Sequence, residues 1–232
     1  MQKRGQVALF VIIGIIVVIV VGLIFLIPSI NQGIFTGEAP EVREQIEGCF
    51  NDLSRESLLL VGLSGGSLNS ENYLDVQGIK VSYGYYLGKN YLPDLDIMET
   101  EVSNYVSNNL FDCVDLSEYE VLDKSNEVLV EIGDTVTTNV DYYLNLKKGD
   151  KEYKIEDSSE AEFNFDVKGC YGAALSIIEK TEKDPGYVYP EFLKDIGYDV
   201  TYSSFDEEKS MVYMVGDVNS DYELVFANRV EK

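Results

Sequence analysis

The pattern closest to a metal site is a run of oxygen-bearing side chains near the C-terminus. They would supply ligands at positions 1, 3, 5 and 7 of a calcium loop, and they are Asp217, Asn219, Asp221 and Glu223. Calcium loops have Gly at position 6 and Glu at position 12, whereas this chain has Tyr222 and Asn228 there. Because those two positions turn the loop and close the coordination shell, we favour a polar hairpin turn over a calcium site.

The acidic residues raise a second chemistry, because glycoside hydrolysis uses a pair of carboxylates. The candidate acids are the cluster Asp206-Glu207-Glu208 together with Glu99 and Glu101. The mechanism needs a defined separation of two carboxylates in space, and a chain with 41 acidic residues contains many pairs. We therefore predict that the protein is not an enzyme and uses no cofactor, with a carboxylate-dependent hydrolase as the alternative. No residue is predicted to be catalytic.

Composition excludes other classes of function. The 232 residues include no histidine, which rules out a Ser-His-Asp triad, a Cys-His dyad and any His-dependent zinc site within the chain. The formal net charge is -23, from 18 basic and 41 acidic residues. Phosphate binding needs a basic face, so a nucleic-acid partner is not expected.

The N-terminal region reads as a membrane anchor. Residues Val7 to Ile27 contain no charged or polar side chain, and a helix of that length spans ~30 Å, the thickness of the hydrocarbon core. A cleaved signal peptide is the alternative, but its apolar region is shorter and ends in a small-residue site. Lys3 and Arg4 precede the run, and every acidic residue follows it. We therefore expect a cytoplasmic basic stub over 1–6 and an extracytoplasmic C-terminal part.

The residues before the anchor, Lys3-Arg4-Gly5-Gln6, resemble the type IV pilin-like, class III-type signal of archaeal proteins. That resemblance implies cleavage after Gly5, which would make Gln6 the mature N-terminus. An ordinary basic flank of a membrane anchor is the alternative. Pro28, Gly33, Gly37 and Pro40 then predict a flexible stem over 28–40. A stem of this kind interrupts the helix, which favours a tethered domain over a filament subunit.

Beyond the stem, apolar periodicity predicts an α+β domain over 41–232 that mixes helices with antiparallel sheet and has a possible division near residue 117. Helices are predicted from Glu41 to the glycines that begin at Gly62, from Pro93 or Asp94 to about Asp112, and from Cys170 to Glu182. Strands are predicted where Val81, Tyr83, Tyr85 and Leu87 alternate, around Val128–Ile132 and Val136–Leu146, from Tyr153 with the pattern continuing through Phe163, Phe165 and Val167, and at Met211–Val215 and Glu223–Ala227.

Three cysteines fit an exported location. Cys49 and Cys113 each lie beside a predicted helix, and we expect them to form a disulfide, with two separate buried thiols as the alternative. Cys170 is then left without a partner cysteine in the chain, and it either packs as a small apolar residue or forms an intermolecular bridge. The wide spacing without a C-x-x-C pair argues against a metal site.

Several segments together resemble a group of uncharacterised archaeal membrane-anchored proteins. They are Lys3–Gln6, Leu60–Gly66, Tyr83–Tyr86, Asn109–Cys113 and Val225–Arg229. The resemblance implies display at the cell membrane and brings no activity with it. We predict a single-pass extracytoplasmic structural or interaction protein, whose partners are the membrane and either other proteins or a second copy. A minor pilin or surface-filament subunit is the alternative, and a tethered enzyme or solute-binding receptor is a third class.

Overall fold

The structure is a computed structural model that describes residues 39–184, 187–205 and 209–229. The predicted cytoplasmic stub, the anchor over 7–27, the signal residues Gly5 and Gln6, and all but the end of the stem lie outside these ranges.

Within the described ranges, no helix has both the length and the apolar character needed to cross a bilayer.

The described residues form both helices and antiparallel sheets, so the predicted mixture of the two is confirmed. The helices are α1 (Pro40–Leu63), α2 (Leu95–Asn109), α3 (Val167–Lys183) and α4 (Pro190–Asp195). The strands are β1 (Tyr73–Val76), β2 (Ile79–Tyr86), β3 (Lys89–Asn90), β4 (Glu120–Ile132), β5 (Val136–Lys148), β6 (Lys151–Phe163), β7 (Asp199–Phe205), β8 (Ser210–Gly216) and β9 (Glu223–Arg229).

The strands form two sheets. The larger sheet has the order β1-β2-β9-β8-β7, with β3 also paired to β2, and the smaller sheet is the meander β4-β5-β6. Every pair of neighbours is antiparallel except β2 and β9, which run parallel. That parallel pair joins strands from opposite ends of the domain. The larger sheet is therefore complete only when the N-terminal and C-terminal parts of the domain are both in place.

Helix α1 connects the two sheets. Pro40 occupies its first turn, and Val42, Ile46, Phe50 and Leu53 recur along its buried face. Near its middle, Thr138 of β5 donates a hydrogen bond of 3.2 Å to Ser54. Near its C-terminus, Gly62 lies so close to β9 that a Cβ there would stand 2.4 Å from the carbonyl oxygen of Glu223.

Two acidic N-caps set where α2 and α3 begin. Asp94 accepts a hydrogen bond from the Ile97 amide, and Asp166 accepts one from the Gly169 amide. The start of α2 is therefore as predicted. The extension of the β6 strand pattern through Phe165 and Val167 is wrong, because the cap at Asp166 ends the alternation and α3 begins at Val167, three residues before Cys170.

One hydrophobic core extends across both sheets. Its buried members include Phe50 on α1, Val102 on α2, Leu144 on β5, Ile177 on α3 and Phe226 on β9. Residues before and after position 117, where a division was considered, therefore contribute to the same core.

Candidate functional site

A bulge in β2 decides which tyrosines share a face of the larger sheet. Tyr83 is paired with Ala227, whereas Tyr85 is paired with the next residue, Asn228, so Gly84 is an extra residue in the ladder. Tyr85 therefore enters the main core, while Tyr83 and Tyr86 both lie on the opposite face. The simple alternation predicted from Val81 through Tyr83 and Tyr85 to Leu87 is wrong from Gly84 onward.

We call the face of the larger sheet that carries Tyr83 and Tyr86 the open face. It holds a second, smaller apolar cluster. Its buried members are Leu74, Val81, Tyr83, Val225 and Ala227. Among the described residues, Leu63 at the end of α1 is the one helical residue packed against this cluster. The helices thus cover one side of the larger sheet, and the open face is built from strands.

A cleft of about 360 Å³ lies at the β1–β2 side of the open face, and we call it the tyrosine cleft. Its walls combine aromatic, amide and charged side chains. They are formed by Glu71, Asn72, Tyr73, Leu74, Asp75, Tyr83, Tyr86 and Arg229. An aromatic-lined concavity with a few convergent polar groups is the usual composition of a binding site in proteins.

The tyrosine rings are held by contacts with one another. The Tyr83 and Tyr86 ring centroids are 4.8 Å apart, and Tyr91 meets Tyr86 edge-on at 6.2 Å. Tyr83 is buried, and its hydroxyl lies 3.2 Å from the Ser210 hydroxyl, in a hydrogen bond that either group can donate. Tyr91 is 42% exposed, so the cluster extends from the sheet interior to solvent.

Charged groups of both signs surround these rings. The Arg229 guanidinium lies 5.9 Å from the Tyr86 ring centroid, and the Lys80 ammonium lies 4.7 Å from that of Tyr73. Asp75 accepts a hydrogen bond from the Gly78 amide, which fixes its carboxylate beside the β1–β2 turn. The cleft therefore offers flat apolar surface for packing and charged groups for orientation, which suits binding.

The segment considered for calcium forms the turn between β8 and β9. Asp217 accepts hydrogen bonds of 3.1 Å from both the amide and the side chain of Asn219, while Asp221 pairs with Arg55 on α1 at 2.9 Å. Tyr222 is fully buried, and Glu223 opens strand β9. In the part of the chain that the structure describes, no three Asp, Glu, Cys or His side chains are grouped so as to hold a metal ion.

The carboxylates considered for hydrolysis are not brought together. Glu99 accepts a hydrogen bond of 2.7 Å from the Ile132 amide of β4, whereas Glu101 accepts one from Ser67 in the loop after α1. The two carboxylates thus connect α2 to different parts of the fold. The cluster Asp206-Glu207-Glu208 lies outside the described residues.

The structure pairs Cys49 of α1 with Cys113, just after α2, at a Cα separation of 6.2 Å. Cys170 is fully buried in α3. Burial, followed by the negative charges of Asp166 and Asp217, raises the pKa of its thiol to about 12. In this position the thiol packs as a small apolar group and is not accessible for an intermolecular bridge.

One buried hydroxyl stands out in the smaller sheet. Tyr142 of β5 is 2% exposed, and its hydroxyl oxygen has no hydrogen-bond partner among the described residues. Burial, reinforced by the charge of Asp157 and opposed by that of Arg43, raises its pKa to about 12. This group faces α1, because Asp157 on the same side of the sheet forms an ion pair with Arg43 at 2.9 Å.

The tyrosine cleft was not among the sequence-predicted sites, because two of its walls depend on β1 and on the parallel β2–β9 pair. A local signal for β1 did exist. That signal is Gly78, because glycine readily adopts a positive φ angle. The turn between the two strands has φ angles of 54° at Gln77 and 91° at Gly78, as a two-residue hairpin turn requires. The partnership of β2 with β9 has no local signal of that kind.

No family model matches this chain, and the searches of curated proteins and of solved structures likewise found no match.

Proposed function

We propose that this chain is a single-pass, membrane-anchored extracytoplasmic interaction protein that binds a partner protein through its tyrosine cleft. The membrane part of the proposal rests on the uncharged run from Val7 to Ile27 and the basic residues before it. The resemblance of Lys3–Gln6 to an archaeal pilin-type signal agrees with export. The binding part rests on the cleft itself.

The observation that carries the interaction role is the aromatic surface that stays accessible at the tyrosine cleft. The apolar core of the open face is itself buried, whereas Tyr73 in the cleft wall and Tyr91 beside the cleft are 39% and 42% exposed. The rings of Tyr86 and Tyr91 give this face rigid aromatic surface, the residue type that dominates protein interfaces. A binding surface explains the arrangement, whereas catalysis does not require it.

Charge indicates which kind of partner fits. All 41 acidic residues, but only 16 of the 18 basic ones, follow the predicted anchor. Glu71 and Asp75 bring two of these acids to the cleft. Such a domain attracts positively charged partners, and aromatic rings also bind cations. The proposed ligand is therefore a protein segment that presents an aromatic or aliphatic side chain next to a basic one.

Two measurements on native membranes test the proposal. The chain should resist alkaline carbonate extraction, and protease added outside sealed cells should digest the extracytoplasmic domain. The intact mass of the mature chain then shows whether it starts at Met1 or at Gln6. Extraction of the chain as a peripheral protein would contradict the anchor, and antibody labelling of surface filaments would favour the filament-subunit alternative.

The binding role is tested by a photoreactive phenylalanine analogue placed at Tyr86, with Tyr143 on the smaller sheet as the matched position. We expect a discrete cross-linked partner from position 86 that is lost when Tyr91 is changed to Ala. Equal cross-linking from both positions would mean that the tyrosine cleft has no special role.

A further inference from the structure

The direction of α1 shows which end of the domain is nearest to the predicted anchor. Ser54 contacts Thr138 of β5, while Arg43, closer to the start of α1, contacts Asp157, which is paired with Tyr142 of β5. Moving toward the N-terminus of α1 therefore means moving toward the C-terminus of β5. The start of α1 points toward the β5–β6 turn, and this helix of 24 residues is ~36 Å long.

Lysines are concentrated at this end of the smaller sheet. Segments 118–124 and 147–154, which we call the lysine end, lie side by side because Glu120 is paired with Lys147 and Lys148 with Lys151. They contain five of the 13 lysines that follow the predicted anchor. These are Lys124, Lys147, Lys148, Lys151 and Lys154. Five acidic residues accompany them, so this end is neutral overall on a strongly acidic domain.

The lysines differ in how they are held. Lys148 pairs with Glu118, and Lys154 lies 3.7 Å from Glu152. Lys147 and Lys151 are exposed, and no ion pair involving either is found in the described residues. These two ammonium groups, beside the turn itself, are thus available to an external anionic surface.

Exposed apolar groups lie beside the lysines. A bulge in β4 leaves Leu122 unpaired, and Val121 and Leu122 are 40% and 45% exposed. Tyr119 and Tyr153 pack edge-on at 5.9 Å in the same region. Lysines with aliphatic and tyrosine side chains are the composition that proteins place at the headgroup level of a bilayer.

We infer that the lysine end contacts the anionic headgroup surface of the membrane that holds the anchor. This inference rests on the proposed function, because residues 28–39 would connect the anchor to α1 and reach at most ~40 Å when fully extended. The tyrosine cleft lies on the larger sheet, which α1 meets at Gly62 near its opposite end. Contact through the lysine end would therefore keep the cleft away from the lipid.

Because the chain has no tryptophan, a single introduced one can report the contact. The full-length chain carrying Leu122→Trp is reconstituted in nanodiscs that contain dansyl-labelled lipid, made of phosphatidylcholine alone or mixed with phosphatidylglycerol. We expect stronger energy transfer in the anionic discs, and weaker transfer at high salt. Tyr91→Trp, at a similarly exposed position beside the cleft, should show low transfer in both.

Charge reversal makes the test specific. Lys147→Glu together with Lys151→Glu should reduce the equilibrium constant for contact with anionic discs by about fivefold or more for each lysine, because each change removes a positive charge and adds a negative one. Lys168→Glu with Lys194→Glu changes the net charge equally on α3 and α4 and should leave the transfer unchanged.

Equal transfer from Leu122→Trp in the two lipid compositions, or transfer that the Lys147/Lys151 variant does not alter, would overturn the inference while leaving the anchor intact. Failure of the chain to insert into nanodiscs would instead overturn the proposed membrane function, and the inference with it. Hydrogen exchange of segments 118–124 and 147–154 in the unmodified chain gives a second readout. Slower exchange in anionic discs supports the contact, and equal exchange in both lipids contradicts it.

Discussion

Thr138 of β5 donates a hydrogen bond to Ser54 of α1, and both residues are completely buried. This bond joins the first helix of the domain to the central strand of the smaller sheet. Because a buried polar group needs a partner, the two hydroxyls fix the rotation of α1 as well as its position.

Replacing these hydroxyls singly and together should therefore give non-additive effects. Thr138→Val is nearly isosteric and should lower the free energy of unfolding by about 1 kcal/mol, because Ser54 loses its donor. Ser54→Ala should cost less, since the Thr138 hydroxyl can turn to the Ala161 carbonyl oxygen, 3.4 Å away. Urea unfolding of the full-length chain in detergent micelles measures each value. A double variant whose loss equals the sum of the single losses would show that the two hydroxyls do not interact.

Removal of the buried hydroxyl of Tyr142, in contrast, should not lower the free energy of unfolding. Tyr142→Phe deletes an oxygen that has no partner in the described residues, so the free energy of unfolding should stay constant or rise by about 1 kcal/mol. Tyr143→Phe, on the outer side of the same strand, is the matched control and should have little effect. A loss of more than about 1 kcal/mol for Tyr142→Phe would indicate that its hydroxyl is bonded in solution.

Alkaline pH should destabilise the domain through its buried tyrosines. Burial raises the pKa of Tyr142 and of Tyr213 to about 12, and it raises that of Tyr222 as well, from an ordinary value of 10.0. The unfolded chain therefore releases these protons at lower pH than the folded one. The stability that these buried tyrosines contribute is fully present below pH 10 and is lost as the pH rises toward about 12.

Tyrosinate absorbance followed beside circular dichroism measures this alkaline transition. Tyr213→Phe should make the fall in stability with pH shallower. If all 17 tyrosines titrated together near their ordinary pKa while the fold stayed intact, the burial described for these rings would be wrong.

The disulfide expected from Cys49 and Cys113 should be a major source of stability. The two cysteines are 64 residues apart in the sequence. In the chain-entropy picture, a bridge that closes a loop of this length adds about 4 kcal/mol to the free energy of unfolding. Non-reducing peptide mapping of the membrane-extracted protein should recover the two cysteines in one linked peptide pair. Cys170 should resist alkylation until the protein unfolds, because its thiol is buried and its pKa is raised to about 12. Recovery of Cys49 and Cys113 as free thiols would contradict the pairing.

Local patterns in the sequence were sufficient for most helices and antiparallel hairpins. The start of α2 followed from Asp94, and the β8–β9 hairpin followed from the apolar runs on either side of Asp217. These signals are local because a cap or a turn is formed by residues a few positions apart.

The tyrosine cleft could not be predicted in the same way. Arg229 and Tyr86 come together through the parallel β2–β9 pair, and no turn or periodicity encodes a pairing across more than half the chain. The extra residue at Gly84 added a second difficulty, because one unpaired residue moves every later side chain of β2 to the opposite face. A Gly within an alternating strand is a recognised sign of a bulge, and that sign was present here.

Gly84 consequently offers a test of how the cleft is built. A Cβ at this position would stand 2.8 Å from side-chain atoms of both Ile178 on α3 and Phe226 on β9. Because these neighbours lie in the main core, Gly84→Ala should lower the free energy of unfolding by about 1–3 kcal/mol and shift β2 away from α3. The shift should disturb the Tyr83–Tyr86 ring contact, which the aromatic region of the nuclear magnetic resonance spectrum reports.

Gly172→Ala is the matched control, because a Cβ there would meet no atom within 4 Å. Gly172 lies within α3, where alanine is the better helix former, so this change should raise the free energy of unfolding by about 0.5–1 kcal/mol. The two substitutions add the same methyl group and should act in opposite directions. If Gly84→Ala were as harmless as Gly172→Ala, the close approach of β2 to α3 would not exist in solution. The bulge would then have no packing reason to hold Tyr83 and Tyr86 on one face.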